Sequence, residues 1–302
     1  MVNLAVSLGK LNLKNPVILA SGTCGYGREI SSYLDLNKVG AITVKGLSYY
    51  PFSGNPPPRL REVYAGVLNS IGLENKGVYD FIQEDLPFLS SFDTRLLVNI
   101  WGETANEFVQ VAQELDRFER VDALELNVSC PNMERGGAVF CSDLEILKSI
   151  VGGVRDATRK PLIVKLGPEV KEWGKTLDIL ENEGADILSL TNSFPALFVD
   201  VGEMDFFFKR KFAGLSGPAI KPLALKMVYE VVNYSSLPVI GMGGIVSADD
   251  ALEFLLVGAK AVALGVANFV DPASALSILE GIEQYLESKG IESLEDLIGR
   301  VK

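Results

Sequence analysis

The chain has 302 residues, 48% of them hydrophobic and 22% charged, and 28 Lys+Arg against 39 Asp+Glu leave a net charge of -11. So acidic a chain, without a visible basic patch, is a poor polyanion binder, which argues against a nucleic-acid partner. Histidine is absent, which removes catalytic triads, imidazole acid–base chemistry and His-ligated metals; the three cysteines, Cys24, Cys130 and Cys141, contain no CxxC pair, so neither a disulfide framework nor a metal site is expected.

Apolar runs of strand length recur along the chain. They fall at Pro16–Ala20, Ala41–Lys45, Leu96–Ile100, Ala123–Val128, Leu162–Leu166, Ile187–Thr191, Pro238–Met242 and Ala261–Gly265. Runs that are apolar on both faces suit buried parallel strands. Amphipathic helices are predicted between them at Thr104–Phe118, Ser142–Thr158, Val170–Glu183, Ala219–Asn233 and Ser247–Val257. Ser247 is placed as an N-cap, and Gly184 and Gly258 stand where helices end in glycine. Asp271–Lys302 reads as a closing amphipathic helix with a helical tail. About eight strand–helix units point to an α/β fold, a (β/α)8 TIM barrel, with an open doubly wound sheet as the rival. Barrels of ~250 residues are single domains, so residues 1–302 are read as one.

Two segments, Gly46–Ile71 and Asn192–Gly217, are long insertions at the C-terminal face of the expected barrel, where loops are usually functional. No run approaches the ~18 apolar residues of a membrane helix, and Met1–Lys10 does not read as a signal peptide. A cytoplasmic location is therefore expected.

The strand ends carry the chemistry. Lys45, Asn99, Asn127 and Lys165 sit in or at the end of apolar strands, where polar groups are costly to bury without partners. Taken singly, each lysine fits a stem that snorkels from a strand end, and either Asn could serve loop backbone. Together they favour a shared site on one rim. Gly243-Gly244 and Gly265-Val266 follow the seventh and eighth strands, where barrels commonly hold phosphate, although they also suit ordinary tight turns. A ligand with a phosphate and a large polar ring would use all these parts. A lysine suits a ring that gains negative charge on reduction, and Asn amides both donate and accept. The residues thus read as an FMN barrel. No GxGxxG is present, so a tightly bound dinucleotide is not indicated.

Cys130 is the candidate base. It follows a strand, precedes Pro131, and belongs to a class with a reference pKa of ~8.5 that nearby lysines lower. The alternative, a small buried hydrophobe, suits Cys24 and Cys141 better.

The chain resembles class 1 dihydroorotate dehydrogenases over nearly its whole length. The resemblance rests on Asn15-Pro16, Ala20-Ser21-Gly22, Gly54-Asn55-Pro56-Pro57-Pro58-Arg59, Leu68-Asn69-Ser70-Ile71-Gly72-Leu73, Asn127-Val128-Ser129-Cys130-Pro131-Asn132, Gly214-Leu215-Ser216-Gly217-Pro218 and Ile240-Gly241-Met242-Gly243-Gly244. The segment Cys130-Pro131-Asn132-Met133-Glu134-Arg135-Gly136-Gly137 is similar to subclass 1B, the catalytic subunits that work with an electron-transfer subunit.

The resemblance implies oxidation of dihydroorotate to orotate in pyrimidine biosynthesis, with hydride transfer to FMN. It implies FMN-binding positions at Ser21, Lys45, Gly46, Asn99, Asn127, Lys165, Thr191, Gly217, Gly243, Gly244, Gly265 and Val266. Substrate-binding positions are implied at Lys45, Asn69, Ser70, Ile71, Gly72, Leu73, Asn127, Asn192 and Ser193, and the catalytic base at Cys130. It further implies a partner subunit carrying FAD and a [2Fe–2S] cluster, NAD as the onward acceptor, and a homodimer within a heterotetramer.

Three departures stand out. Val266 replaces a frequent Thr, Ser193 replaces a more usual Thr, and Ala196–Ala213 does not follow the family loop. Within that loop Phe206-Phe207-Phe208 is read as packing rather than a contact surface, and Lys209-Arg210-Lys211 as a solvated face. Other readings are another FMN pyrimidine redox enzyme, such as a dihydropyrimidine or dihydrouridine reductase, a stand-alone fumarate-using class 1A enzyme, and a flavin-binding barrel without turnover. The acidic charge speaks against an RNA substrate, and an intact Cys130, Lys45 and Asn69 against a non-catalytic barrel.

Overall fold

The structure, a computed structural model, describes residues 2–129, 140 and 142–301. Eight parallel strands close into a barrel: β1 (Val17–Leu19), β2 (Ala41–Leu47), β3 (Arg95–Ile100), β4 (Ala123–Asn127), β5 (Leu162–Leu166), β6 (Ile187–Leu190), β7 (Val239–Met242) and β8 (Ala261–Leu264). Each pairs with its sequence neighbours, and β8 returns to β1 through Val262 opposite Val17. All eight expected runs are barrel strands, and closure excludes the open sheet. Strands β6 and β8 are buried at every position, as expected where helices cover one face and the packed barrel interior the other.

The helices follow from periodicity and caps. Helix α1 (Ala105–Asp116) turns Phe108, Val111, Ala112 and Leu115 inward at helical spacing. Its start is fixed by the Thr104 hydroxyl, which accepts from the Glu107 N–H at 3.3 Å. Helix α2 (Leu144–Ala157) buries Leu147, Ile150, Val151 and Val154 and is capped by Asp143. Each such side chain contributes about 1.5–3 kcal/mol on burial, so a charge at Val151 would break the helix–barrel seam. Helices α3 (Trp173–Asn182), α4 (Lys221–Tyr234) and α5 (Ala248–Leu256) complete the expected set, and α5 carries a full capping box between Ser247 and Asp250. Gly184 and Gly258 have φ of 87° and 113°, which end α3 and α5 without a Cβ clash. The C-terminal segment is helix α6 (Ser274–Ser288); the expected helical tail reduces to one tight turn at Leu294–Asp296.

Two additions shape the ends of the barrel. An antiparallel hairpin, Val6–Leu8 with Leu11–Leu13, buries alternate residues and lies by the N-terminal end, where Arg95 Nε donates to the Asn12 carbonyl at 3.1 Å. At the opposite end the two long insertions meet. Leu60–Val63 and Gly66–Asn69 come from the first, Phe194–Leu197 and Phe212–Ser216 from the second, and they form one four-stranded antiparallel sheet. Leu68, Ala213 and Phe208 make a small core beneath it. Phe207 is half-buried there, with the Arg61 guanidinium 5.0 Å from its ring centroid, so the packing reading holds for Phe207 and Phe208. Phe206, Lys209 and Lys211 are exposed. Among the described residues no helix is long and apolar enough to cross a membrane.

Candidate active site

A cleft opens at the C-terminal end of the barrel, and every strand end contributes to it. The turn after β1 supplies Ser21, Gly22 and Thr23; β2 supplies Lys45 and Gly46; β3, β4 and β5 supply Asn99, Asn127 and Lys165. Thr191, Asn192 and Ser193 follow β6, Gly243 and Gly244 follow β7, and Gly265 and Val266 follow β8. The sheet built from the insertions forms the wall, with Asn69, Ile71, Gly72, Leu73 and Gly217 facing in. The predicted residues therefore converge, with two exceptions. Ser70 does not line the cleft: it is buried, and its hydroxyl accepts from Asn55 Nδ2 at 3.1 Å. Cys130, the proposed base, lies outside the described residues, as does Cys141. Cys24 is a buried thiol donating to the Thr43 carbonyl at 3.3 Å, and burial pushes its pKa up to about 12. That is the inert, packed cysteine expected of it.

The polar groups are held in place from below and from the side. Asn192 Nδ2 donates to Asn127 Oδ1 at 3.2 Å and to the Ser129 carbonyl at 2.8 Å, and Asn192 Oδ1 accepts from the Ser193 N–H at 2.8 Å. These bonds fix both amides and tie them to the residue before Cys130. On the glycine side, Asp250 Oδ2 accepts from the N–H groups of Val246 and Ser247 at 3.0 and 2.9 Å, and its Oδ1 takes the Lys221 ammonium at 2.7 Å. One carboxylate thus caps α5 and anchors the turn carrying Gly243 and Gly244. A Cβ on Gly244, whose φ is 76°, would stand 2.9 Å from the Gly217 carbonyl and 2.8 Å from Lys221 Cβ. On the neighbouring strand ends, a Cβ on Gly22 or Gly265 meets nothing within 4 Å, so bare backbone faces open space there.

Three residues of the site were not singled out in the sequence. Asn268 is buried, and its Nδ2 donates to Thr23 Oγ1 at 3.0 Å and to the Leu264 carbonyl at 2.9 Å, joining the turns after β1 and β8. Glu125 and Ser189 lie beneath the cleft. Glu125 Oε1 accepts from Asn99 Nδ2 at 2.6 Å and stands 4.0 Å from Lys165 Nζ, and its Oε2 accepts from Ser189 Oγ at 3.0 Å. A lone charged residue inside the apolar run Ala123–Val128 was the available signal for Glu125.

Among the described residues, no Asp or Glu lines the cleft, whereas Lys45 and Lys165 do. In a chain of net charge -11 this is a local reversal of sign. The cleft is therefore suited to anionic ligands, with amides and hydroxyls to orient them.

Fold and cleft together define a (β/α)8-barrel enzyme that works at its C-terminal rim on anionic, hydrogen-bonding ligands. A family model described as dihydroorotate dehydrogenase matches residues 3–286, and the chain belongs to that family. Two relatives, from Thermoanaerobacter sp. (strain X514) and Geotalea daltonii, are each 49% identical, over 100% and 99% of this chain and 99% and 98% of their own lengths. Both are named dihydroorotate dehydrogenase B (NAD(+)), catalytic subunit. A crystal structure of the Eimeria tenella DHODH in complex with ferulenol shares the fold, with a TM-score of 0.82 at 21% identity over 99% of this chain and 88% of that one.

Proposed function

We propose that this chain is the catalytic subunit of an NAD-linked dihydroorotate dehydrogenase, one barrel unit that binds FMN and oxidises dihydroorotate to orotate in pyrimidine biosynthesis. The observation that carries the reading is the cleft with Lys45 and Lys165 at its base and, among the described residues, no carboxylate in its lining. Its relatives' shared name supports it.

The residues present fit FMN. Asn99 lines the cleft and its Oδ1 is buried without a partner, which leaves an acceptor for a ring N–H. The open backbone at Gly22 and Gly265, with Gly243 and Gly244 beside it, suits a phosphate that bonds to N–H groups. Ser21, Lys45, Gly46, Asn99, Asn127, Lys165, Thr191, Gly217, Gly243, Gly244, Gly265 and Val266 would hold the cofactor. Val266 can offer only its backbone. When bound, FMN supplies the acceptor for the hydride leaving C6 of dihydroorotate.

The chain's own residues do the rest. Lys45 pairs with the substrate carboxylate, and Asn69, Asn127, Asn192 and Ser193 orient the ring. Cys130 accepts the C5 proton as general base. The wall from Ile71 to Leu73 excludes water. Ser70 acts behind that wall, through Asn55. Lys165 sets positive charge where electron density accumulates. Electrons then pass to a partner subunit carrying FAD and a [2Fe–2S] cluster, within a heterotetramer built on a homodimer of this chain in the cytoplasm. The chain has three cysteines, fewer than the four ligands such a cluster usually takes.

Anaerobic mixing of the FMN-loaded chain with dihydroorotate tests the reading. Bleaching of the visible flavin absorption with release of orotate is expected. No bleaching, or bleaching by dihydrouridine instead, overturns it. Efficient NAD reduction or fumarate turnover by the isolated chain would overturn only the partner assignment.

A further inference from the structure

Glu125 sits inside the barrel, 2% exposed, on β4 directly opposite Asn99 of β3. It does not line the cleft, whereas Asn99 and Lys165 do. Its two oxygens take one amide and one hydroxyl, from Asn99 and Ser189, and Lys165 Nζ stands 4.0 Å from the same oxygen that Asn99 uses. A buried carboxylate therefore underlies a site whose lining, among the described residues, holds Lys45 and Lys165 and no Asp or Glu.

An amide has two unlike ends, and an ionised carboxylate can only accept. The contact with Glu125 turns the Asn99 NH2 toward the carboxylate and leaves Oδ1, on a residue that lines the cleft, buried and without a partner in the protein. Gly46 packs beside that oxygen, and a Cβ there would come within 2.5 Å of it. The oxidised isoalloxazine ring carries one ring N–H, in its pyrimidine imide.

We infer that Glu125 is a positioning residue that fixes the hydrogen-bonding polarity of the cofactor site, locking Asn99 so that an acceptor faces the flavin imide N–H. The same carboxylate gives the Lys165 ammonium a buried counter-charge, which places that cation without a second ligand anion. Ser189 completes the arrangement by donating to the oxygen that Asn99 does not use. The inference rests on FMN being the cofactor.

The test compares binding of FMN with binding of FMN methylated at the imide nitrogen, using apoprotein and following flavin fluorescence. The wild-type chain should prefer FMN by roughly ten-fold or more, because the methyl group leaves the buried Asn99 oxygen unpaired. Glu125→Gln offers a side chain that donates as well as accepts, so Asn99 can turn over. The preference should then fall to about three-fold or less, while FMN still binds. A preference that is the same in both proteins overturns the inference. A role in stability alone would weaken both flavins equally and leave the preference unchanged. If the Glu125→Gln apoprotein does not hold its fold, Ser189→Ala decides. It leaves Oε1 on Asn99 and must keep the wild-type preference, so loss of the preference there also overturns the inference. Failure of wild-type apoprotein to bind FMN at all would instead overturn the functional reading on which this rests.

Discussion

Asn69 and Gly214 stand opposite one another on antiparallel strands from different barrel loops, and Asn69 Nδ2 donates to the Gly214 carbonyl at 3.1 Å. The side chain that would touch substrate is thus oriented by the backbone of the other insertion. A Cβ on Gly214 would overlap the Ser193 hydroxyl and stand 3.1 Å from Asn69 Nδ2.

Gly214→Ala should therefore displace two substrate-facing residues at once. Misplacement of this kind costs on the order of 10²-fold in turnover. FMN content should stay normal, because the glycines and lysines at the base of the cleft are not touched. Steady-state kinetics beside flavin quantitation checks this, and normal kinetics would show that the wall does not set substrate position.

Cys130→Ala should leave FMN bound and slow the anaerobic bleaching by about 10²–10⁴-fold, the usual cost of losing a general base. Cys130→Ser should keep some activity, displaced to higher pH, because a hydroxyl is a poorer base. Stopped-flow reduction across pH decides, and near-normal rates in the Ala variant would remove Cys130 from the role.

The two lysines should separate by readout. Lys165→Ala should lower the flavin reduction potential and weaken FMN retention, since a cation beside the ring favours its reduced, anionic form. Lys45→Ala should instead weaken substrate binding together with turnover. Potentiometry on each variant makes the comparison, and an unchanged potential in Lys165→Ala counts against its placement.

Glu169 gives a pH-dependent effect outside the cleft. Both its carboxylate oxygens are buried without a hydrogen-bond partner, and burial raises its pKa above the ordinary carboxylate range. The folded state then holds this proton more tightly than the unfolded chain. Its cost to stability is absent below the unfolded value of ~4.3, grows as pH rises through the folded value, and persists above it. Glu169→Gln should raise the thermal midpoint at about pH 7 and change it little near pH 4. A gain of equal size at both pH values would show that the charge is not the cause.

The barrel was legible because each of its strands is a mostly apolar run, and the long helices because their apolar residues recur at helical spacing. The hairpin at Val6–Leu13 escaped because three alternating residues per strand make a weak pattern. The wall escaped for another reason. Its strands contain Gly66, Pro195 and Gly214, and they pair residue 69 with residue 214, a relation no local pattern records. The rim residues Lys45, Asn99, Asn127 and Lys165 stood out as polar groups in apolar strands. Glu125 obeys the same rule, but it points into the layer below the ligand. Ser70, read as a contact by resemblance, instead braces the wall through Asn55.

The contrast between an acidic chain and a cleft with two lysines and, among the described residues, no acids in its lining shapes how an anion arrives. Far from the protein, dihydroorotate meets a net charge of -11 and is repelled. Inside the cleft, Lys45 and Lys165 attract it. Salt shortens the reach of the outer field to about 10 Å at 0.1 M while leaving contacts inside the cleft largely unscreened. The approach is thus uphill and the capture downhill, so moderate ionic strength should speed encounter in an enzyme whose grip on its ligand is itself ionic.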